Sequence, residues 1–288
     1  MKKEKINIRD PFILTENGKY YLYGTRAKNF GQHVNGFDVY YSAELDGEWT
    51  GPIEVFNSGR YGLNKGVNWA PEVHKYLNRY FMFATFTQDN GNRGTYILCS
   101  DTPDGEFVPH SHGAVTPNEW ECLDGTLYIA KNGTPYLVFC HEHTQIMDGT
   151  ICYIELSKTL ECAVGDPHLI FKGSSPKWAN RCGKRFVTDG PFLYRTKSNE
   201  LLMLWSSIVR RYGHDCYVQA LARSLTGEID GCFIQESLLF EKNGGHGMLF
   251  HDFEDNLMLT LHTPNKSEKE KPAFFKISEC QNELKIME

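Results

Sequence analysis

The sequence has no long apolar run and no excess of basic residues. No stretch approaches the roughly 18 apolar residues that would cross a membrane as a helix. The 30 Lys and Arg are outnumbered by 36 Asp and Glu, which gives a formal net charge of −6. Because phosphate binding needs a basic surface, we expect neither nucleic acid nor a membrane as the partner of this protein.

Paired cysteines and an export signal are also missing. The nine cysteines include no C-x-x-C pair, and several lie in apolar stretches such as YLVFC and TYILC. An odd number without zinc-binding spacing favours reduced, mostly buried thiols. The N-terminal MKKEKINIRD has basic residues but no apolar stretch behind them, so it predicts no signal peptide. Together these features favour a cytoplasmic location.

Nucleotide-binding and serine-hydrolase motifs are absent as well, since the chain has no P-loop, G-x-G-x-x-G or G-x-S-x-G. The apolar spacing typical of helices is hard to sustain anywhere. What the sequence does contain is 13% aromatic residues, with 15 Tyr and 18 Phe, in short clusters bounded by Gly, Asn and Pro. That texture predicts strands and turns, and therefore an all-β fold.

One pattern recurs five times: an Asp, Gly or Pro opening, a hydrophobic strand, a polar turn and an aromatic strand. The copies are DPFILTENGKYYLYGT, APEVHKYLNRYFMFATF, DGTLYIAKNGTPYLVFCHE, DGPFLYRTKSNELLMLWSS and GHGMLFHDFEDNLMLTLHT. A second strand–turn–strand pattern follows each of the first four. Four strands per unit and five units predict a five-bladed β-propeller that spans residues 1–288 as a single domain. Two tandem β-sandwiches are the alternative, but they would not explain five matched copies.

The fifth copy lacks a full second pattern. We expect FFKISECQNELKIM to supply an inner strand of that blade. We also expect the residues before Asp10 to complete it.

Three of the five copies open with an aspartate: Asp10, Asp124 and Asp189. Each alone fits ordinary turn chemistry, since Asp before Pro or Gly is common in turns. The innermost strand of each blade lines the central channel, so residues that open those strands converge at one end of the axis. Three aspartates at equivalent positions therefore predict a carboxylate cluster at one channel mouth.

The phrases RDPFILTENGKYYLYGT, NWAPEVHKYLNRYFMFA, ECLDGTLYIAKNGTPYLVF, VTDGPFLYRT and GGHGMLF, in that order, resemble glycoside hydrolase family 43 over essentially the whole chain. The resemblance implies a five-bladed propeller that hydrolyses α-L-arabinofuranosides or β-D-xylosides of plant polysaccharides, xylan among them, with inversion. It implies that Asp10 is the general base and that Asp124 orients the acid and tunes its pKa. It places the general acid on Asp189.

The acid position departs from the family pattern, in which this phrase begins with Glu. Asp is one C–C bond shorter, about 1.5 Å, and a general acid must reach the leaving oxygen within hydrogen-bonding distance. Glu72 in WAPE is the substitute, although the resemblance gives that phrase a structural and substrate-shaping role. Three carboxylates suit the chemistry, because inversion needs a base and an acid about 6.5–9.5 Å apart, and a third carboxylate raises the pKa of the acid.

Further residues are expected to bind the substrate. Trp69 and Phe12, near the blade openings, are candidates for stacking on a sugar ring. Arg223 in ALARS is a candidate to bridge acid and substrate, with a buried salt bridge as the equal alternative.

Three histidines are candidates for binding a metal ion. The resemblance implies that His246 in GGHG orders a central cation, often calcium held mostly by water; a structural role is equally open, and no other cofactor is required. His141 and His143 alternate on a predicted strand, and without a third ligand we expect them on the substrate side or the surface.

Three functions stay open. The first is a hydrolase of small oligosaccharides that contain pentoses. The second is a catalytically silent carbohydrate-binding propeller, which the shorter acid at Asp189 would permit. The third is a related five-bladed enzyme acting on another sugar, including by phosphorolysis, which would need Arg and Lys at the channel mouth; we expect none at the blade openings. The loops 26–36, 56–68 and 174–188 are expected to set pocket depth, and so exo or endo action.

Overall fold

The computed structural model describes residues 1–29, 35–179, 185–211, 213–280 and 283–287. Within these ranges the chain forms five four-stranded antiparallel sheets. Each sheet is built from four strands that are consecutive in sequence. The sheets follow one another around a central axis as the blades of a propeller.

The strand bounds follow the repeated pattern of the sequence. Blade 1 contains β1 (Ile8–Glu16), β2 (Lys19–Arg26), β3 (Phe37–Ser42) and β4 (Thr50–Phe56). Blade 2 contains β5 (Asn68–Tyr76), β6 (Arg79–Thr87), β7 (Arg93–Ser100) and β8 (Val108–Pro109). Blade 3 contains β9 (Cys122–Ile129), β10 (Pro135–His141), β11 (Thr150–Leu156) and β12 (Ala163–Lys172).

The last two blades have the same organisation. Blade 4 contains β13 (Asp189–Arg195), β14 (Leu201–Arg211), β15 (His214–Ser224) and β16 (Phe233–Phe240). Blade 5 contains β17 (Gly245–His251), β18 (Leu257–Thr263), β19 (Lys271–Cys280) and β20 (Glu283–Ile286). Helical segments are short, namely α1 (His143–Ile146) and 3-10 turns at Lys3–Lys5, Ala27–Asn29, Ser58–Tyr61 and Ser267–Lys269.

The first strand of each blade lies innermost. β1 contacts β5 and β17, β9 contacts β5 and β13, and β13 contacts β17, so the first strands form a closed ring. The predicted all-β, five-bladed β-propeller is therefore confirmed. Two separate sandwiches do not describe this ring.

Tight turns fix the register of the inner hairpins. Glu16 pairs with Lys19 across the turn Asn17-Gly18, where both central residues have positive φ, 49° and 72°. Asn-Gly is preferred in such turns, because both residues tolerate the left-handed region and the turn matches the twist of the strands. The polar turn of the repeated pattern is thus the first hairpin turn of the blade.

The hydrophobic core lies between the blades rather than on the axis. The second strands are buried on both faces, as β6 is from 80 to 86 and β14 is from 201 to 207. Aromatic rings from facing sheets fill the layers: Phe86 of blade 2 contacts Phe37 and Phe56 of blade 1, with ring centroids 5.8 and 5.6 Å apart. Packed layers on both faces hold each inner strand in place.

The fifth blade differs from its prediction. FFKISEC belongs to β19, the third strand, which pairs with β18, and ELKI forms the outermost strand β20. Among the described residues, those before Asp10 add no strand to this sheet. Both expectations for this blade are wrong, because the chain after Gly245 supplies all four strands itself.

Polar contacts join blade 5 to blade 1, the seam of the ring. Arg9 Nη1 donates to Glu270 Oε1 at 2.8 Å, and the backbone N–H of Ile8 donates to the carbonyl oxygen of Glu270 at 3.3 Å. Asn7 Nδ2 donates to the same carbonyl oxygen at 2.9 Å. The Glu270 side chain is fully buried at this seam.

The described residues include eight of the nine cysteines, and all eight are free thiols. Half of them, rather than most, are buried: Cys99, Cys122, Cys140 and Cys152. Cys182 lies outside the described residues, as do 30–34 and 180–184 of the loops expected to set pocket depth. In the part of the chain that the structure describes, no helix is long and apolar enough to cross a membrane.

Candidate active site

Every inner strand opens with one residue in the left-handed backbone region. These residues have φ between 46° and 57° and are Asp10, Ala70, Asp124, Gly190 and His246. The pairing with the second strand shifts at the same point in all five blades. Non-glycine residues seldom adopt this conformation, and such strain concentrates at functional sites. The left-handed residues of the five blades therefore lie at equivalent positions, at one height along the propeller axis.

The register of the inner hairpins shows which openings are equivalent. The residue just before the left-handed one pairs with the second strand: Arg9 with Thr25, Trp69 with Thr85, Leu123 with Cys140, Asp189 with Ser206, and Gly245 with His262. Asp189 therefore matches Arg9 and Trp69, whereas Asp10 and Asp124 match Gly190. The expectation of three equivalent aspartates is wrong by one residue for Asp189, because Gly190 takes the left-handed place.

The three aspartates nevertheless meet in one cavity of about 230 Å³. The side chains that line it are Arg9, Asp10, Trp69, Arg93, Leu123, Asp124, Glu142, His143, Thr144, Asp189 and His246. They come from the same end of all five blades. A volume below the usual range for drug-sized ligands suits a small group such as a single sugar ring.

Hydrogen bonds across the blade junctions fix these openings. The left-handed N–H donates to the second strand of the preceding blade at four junctions: Ala70 to Thr25 Oγ1, Asp124 to Thr85 Oγ1, His246 to Ser206 Oγ, and Asp10 to His262 Nδ1. At the junction of blades 3 and 4 the equivalent position is Cys140, and the Gly190 N–H donates to Asp124 Oδ2 at 3.0 Å instead. Asp124 is therefore held by the backbone of the next blade.

Asp10 is surrounded by donors and positive groups. Thr25 Oγ1 donates to Asp10 Oδ2 at 2.7 Å, while Asp10 Oδ1 lies 3.1 Å from His246 Nδ1 and 3.4 Å from Arg9 Nε. Burial by itself would raise the pKa of Asp10, but His246 and Arg9 outweigh it and hold this pKa well below its usual range. Asp10 is ionised at neutral pH.

Asp124 and Asp189 have the opposite electrostatics. Burial raises the pKa of Asp124 to about 7; repulsion from Asp189 and Asp10 adds to this, while His246 opposes it. Burial and the negative charge of Glu142 raise the pKa of Asp189. The Tyr217 hydroxyl donates to Asp189 Oδ2 at 3.1 Å. Because each of these carboxyls disfavours ionisation of the other, they titrate as a pair rather than independently.

The two buried histidines of blade 5 are in different states. His262 Nδ1 accepts the N–H of Asp10 and its Nε2 lies 3.1 Å from Asn265 Oδ1, which assigns the proton to Nε2. Burial and Arg9 lower the pKa of His262 to about 3. Burial would also lower the pKa of His246, but Asp10 and Asp124 raise it to about 10. His246 thus supplies the positive charge between these carboxylates.

His246 is placed to pair with carboxylates rather than to ligate a metal directly, and the water-held cation expected beside it is not tested by this arrangement. The described residues contain no group of three or more His, Cys, Asp or Glu that could hold a metal ion. A metal ligand must be a neutral imidazole, whereas His246 Nδ1 lies 3.1 Å from Asp10 Oδ1 and 3.7 Å from Asp124 Oδ2. A central calcium remains a prediction of the resemblance alone.

Trp69 lies in the cavity wall, as expected for a ring that stacks on sugar. The guanidinium of Arg93 lies 5.3 Å from the centre of its ring. His143 also lines the cavity, on α1 rather than on a strand. His141 is buried, with its ring stacked on Trp120 at 4.2 Å.

Phe12, Glu72 and Arg223 do not line the cavity. Phe12 is 5% exposed, and the centre of its ring lies 5.0 Å from that of His74. It is two residues beyond Asp10 on β1. Glu72 Oε2 lies 3.1 Å from His74 Nε2 in the same buried layer. These two residues face the channel interior, because side chains of a strand alternate past the opening.

Arg223 lies towards the far end of blade 4. It pairs with Leu202 on β14, whereas Asp189 pairs with Ser206, four residues closer to the cavity. Its guanidinium forms ion pairs with Glu200 and Glu236. Of the two expectations for Arg223, the salt bridge is the one that the structure contains. Arg223 lies too far from the cavity to bridge the acid and the substrate.

Two arginines and a glutamate of the cavity were not predicted from the sequence. Arg9 precedes Asp10 in RDP, Arg93 begins β7, and Glu142 follows β10; strand direction places all three at the end of the blades that carries the openings. The expectation of no arginine at the openings is wrong for Arg9. Glu270 and Asp10 lie against Arg9, however, and carboxylates also flank Arg93, so the cavity carries no excess positive charge.

Solved structures resemble this chain over nearly its whole length. It is similar to the endo-arabinase from Bacteroides thetaiotaomicron VPI-5482, with a TM-score of 0.88, 36% identity and 98% of each chain covered. An endo-1,4-beta-xylanase from the same organism shares the fold, with a TM-score of 0.79, 19% identity and coverage of 98% of this chain and 95% of that chain.

A curated relative is the extracellular endo-alpha-(1->5)-L-arabinanase 1 of Bacillus subtilis (strain 168). It is 25% identical over 142 residues, which make up 46% of this chain and 42% of that protein. The chain therefore matches less than half the length of this relative. The model of glycosyl hydrolases family 43 matches residues 5–275, which include all five blade openings. The chain belongs to glycosyl hydrolases family 43, a family of glycosidases.

Proposed function

We propose that this protein is an inverting glycosidase that hydrolyses α-L-arabinofuranosidic bonds in oligosaccharides. The observation that carries the proposal is that one cavity holds Asp10, whose pKa His246 and Arg9 keep low, together with Asp124 and Asp189, whose pKa values burial raises. The name of the 36% identical relative, an endo-arabinase, supports arabinoside over xyloside.

Asp10 is the general base of this proposal. Inversion requires a carboxylate that accepts a proton from water as the water attacks the anomeric carbon. Asp10 stays ionised, and its contacts with Thr25, Arg9 and His246 fix its orientation. Arg9 and His246 also stabilise its negative charge before the proton arrives.

Asp189 is the general acid, and Asp124 keeps the proton there. The N–H of Gly190 donates to Asp124 Oδ2, which favours the ionised form of Asp124. In this proposal the two carboxyls share one proton, and Asp189 gives it to the leaving oxygen. Trp69 supplies an aromatic wall for the sugar ring.

A catalytically silent sugar-binding propeller is the second candidate. One observation favours it, namely the aspartate in place of the family's glutamate at position 189. Such a protein would bind the same sugars with the same aromatic wall but would not turn them over.

Turnover of p-nitrophenyl α-L-arabinofuranoside, p-nitrophenyl β-D-xyloside and linear arabino-oligosaccharides separates these functions. The glycosidase releases arabinose or shorter oligosaccharides, and proton NMR detects product of inverted anomeric configuration. Asp10→Asn should lose turnover, while Asp101→Asn, a control on the surface beside Arg79, should retain it. Binding without turnover by the wild-type protein would favour the silent binder. Turnover of the xyloside alone would show that the substrate is a xyloside rather than an arabinofuranoside.

A further inference from the structure

Arg93 lies in the cavity wall with no role in the chemistry proposed above. It begins β7 of blade 2, and its side chain is 16% exposed. Its guanidinium lies over the Trp69 ring, 5.3 Å from the ring centre, and both side chains line the cavity. Cation–π stacking of this kind orients both groups.

Two carboxylates of blade 3 hold the guanidinium. Arg93 Nε donates to Glu121 Oε2 at 2.8 Å, and Nη2 donates to Glu142 Oε2 at 2.9 Å. Glu121 Oε2 also accepts the backbone N–H of Arg93 at 3.1 Å. A cation bracketed in this way has its position and plane fixed before any ligand arrives.

Glu142 is itself immobilised. It caps the N-terminus of α1, where its carboxylate accepts hydrogen bonds from the backbone N–H and hydroxyl of Thr144. Burial would raise the pKa of Glu142, but His143, Thr144 and Arg93 lower it to about 2. The bracket around Arg93 therefore keeps its charge across the neutral range.

The bracket leaves donors unused. An arginine has five N–H bonds in one plane, and the hydrogen bonds of Arg93 to the described residues use only Nε and Nη2. The two N–H bonds of Nη1 remain for a ligand in the cavity that Arg93 lines. A buried ion-pair network is weak evidence of stabilisation by itself, so its place in the cavity wall calls for a ligand.

We propose that Arg93 is a substrate-binding residue that donates through Nη1 to hydroxyl oxygens of a sugar in the cavity that it lines together with Trp69. The proposal rests on the glycosidase function above. Because Glu121 and Glu142 already balance its charge, Arg93 selects an uncharged sugar rather than a uronic acid or a phosphate. It thus defines the substrate class as neutral glycosides.

Binding is measured by calorimetry with linear arabinotriose, in proteins that carry Asp10→Asn so that no turnover occurs. Adding Arg93→Lys should raise the Kd about 10-fold or more, since the hydrogen bonds from a charged donor are lost. Lysine keeps the charge and the ion pairs but lacks the planar fork. Adding Arg79→Lys, on the surface of the same blade, is the matched control and should leave Kd unchanged.

Kinetics of otherwise wild-type protein test the same point. Arg93→Lys should raise KM with kcat nearly unchanged, and leave the pH profile and Tm as they are. Trigalacturonate and inorganic phosphate should neither bind nor inhibit. If Arg93→Lys fails to fold, Arg93→Gln replaces it with the same expected weakening.

Three results would overturn the proposal. An unchanged Kd in a folded Arg93→Lys protein means that Arg93 acts only through its ion pairs. Tight binding of trigalacturonate or phosphate means that the site selects anions. If the protein that carries Asp10→Asn binds no neutral oligosaccharide and the wild type hydrolyses none, the glycosidase function fails, and this inference fails with it.

Discussion

The two sides of the cavity treat their carboxylates in opposite ways. On one side, Asp10 lies against Arg9 and His246 and accepts a hydrogen bond from Thr25. On the other side, burial and the repulsion of neighbouring carboxylates outweigh the positive groups near Asp124 and Asp189, and the pKa of each is raised. The same side-chain type is therefore ionised on one side and proton-sharing on the other.

The difference comes from which blades meet at each side. Asp10 lies at the seam, where blade 5 contributes His246 and His262 and blade 1 contributes Arg9. Asp124 lies at the junction of blades 3 and 4, where Cys140 replaces the hydroxyl or imidazole of the other blades. Neighbours rather than residue type assign acid and base, as in other carboxylate pairs whose pKa values are pushed apart.

The largest effect is expected from Asp10→Asn. The amide cannot accept the proton of the attacking water, so kcat should fall about 10²–10⁴-fold, the usual contribution of general-base catalysis. Calorimetry should show arabinotriose binding largely intact, because the amide preserves the shape of the site. Retained turnover, or an equal loss of binding and rate, would show that the ionised side does not supply the base.

Asp189→Asn should have the next largest effect, and one that depends on the leaving group. Arabino-oligosaccharides need protonation of the departing oxygen, so their kcat should fall about 10²-fold or more. The nitrophenolate of the aryl arabinofuranoside departs with little protonation, so its kcat should change far less. Steady-state kinetics on both substrates check this. Unchanged oligosaccharide turnover would remove Asp189 as the acid.

Asp189→Glu asks whether the site has adjusted to the shorter side chain. In an adjusted site, the longer arm crowds the glycosidic oxygen, and oligosaccharide turnover should fall. In a site that has lost its activity, the longer arm should create or raise hydrolysis. If the wild-type protein has no detectable turnover and Asp189→Glu creates it, the wild-type protein is a catalytically silent binder.

A smaller effect is expected from pH alone. Asp10 is ionised throughout the neutral range, so the active form is set by the proton that Asp124 and Asp189 share. Since the pKa of Asp124 is raised to about 7, kcat/KM should fall as the pH rises through about 7. The pH–rate profile measures this basic limb. A profile that stays flat up to pH 9 would contradict the shared proton.

The smallest effect is expected from Tyr217→Phe. The Tyr217 hydroxyl donates to Asp189 Oδ2, which favours the ionised form of Asp189. Its loss should raise the pKa of the acid and move the basic limb to slightly higher pH, with kcat below the limb changed by only a few fold. Tyr76→Phe, which removes an exposed hydroxyl hydrogen bond to Lys158 in blade 3, is the control. If the basic limb moves to lower pH instead, the Tyr217 hydroxyl does not donate to ionised Asp189 as assigned.

Much of the fold could be predicted from the sequence because the repeat is local. Each copy carries its own hydrophobic strands and its own turn, such as Asn17-Gly18, so five copies were enough to predict five blades. The fifth blade was misread because no glycine follows Ser278, whereas a glycine follows the matching serine in each of the other copies.

The site was less predictable, because it depends on backbone conformation and on strand length. Gly190 rather than Asp189 takes the left-handed place, and the letters DG alone do not show this. Glu142 lies just past a strand end, where its neighbours in sequence do not indicate a cavity. The pattern ALARS does not reveal that Arg223 lies four residues further down its sheet than the cavity. The pKa values of the aspartates depend on contacts between blades, and the sequence of one strand does not show which residues of another blade it will contact.

The seam between blade 5 and blade 1 also affects the order in which the site is assembled. Asp10 is synthesised well before three groups that surround it: His246, His262, and Glu270 with its bridge through Arg9. Because each blade is contiguous in sequence, the earlier blades have all their strands before this happens. A nascent chain that ends before Glu270 therefore has the strands of its first four blades, but its Asp10 lacks part of the surroundings that hold it in the complete ring.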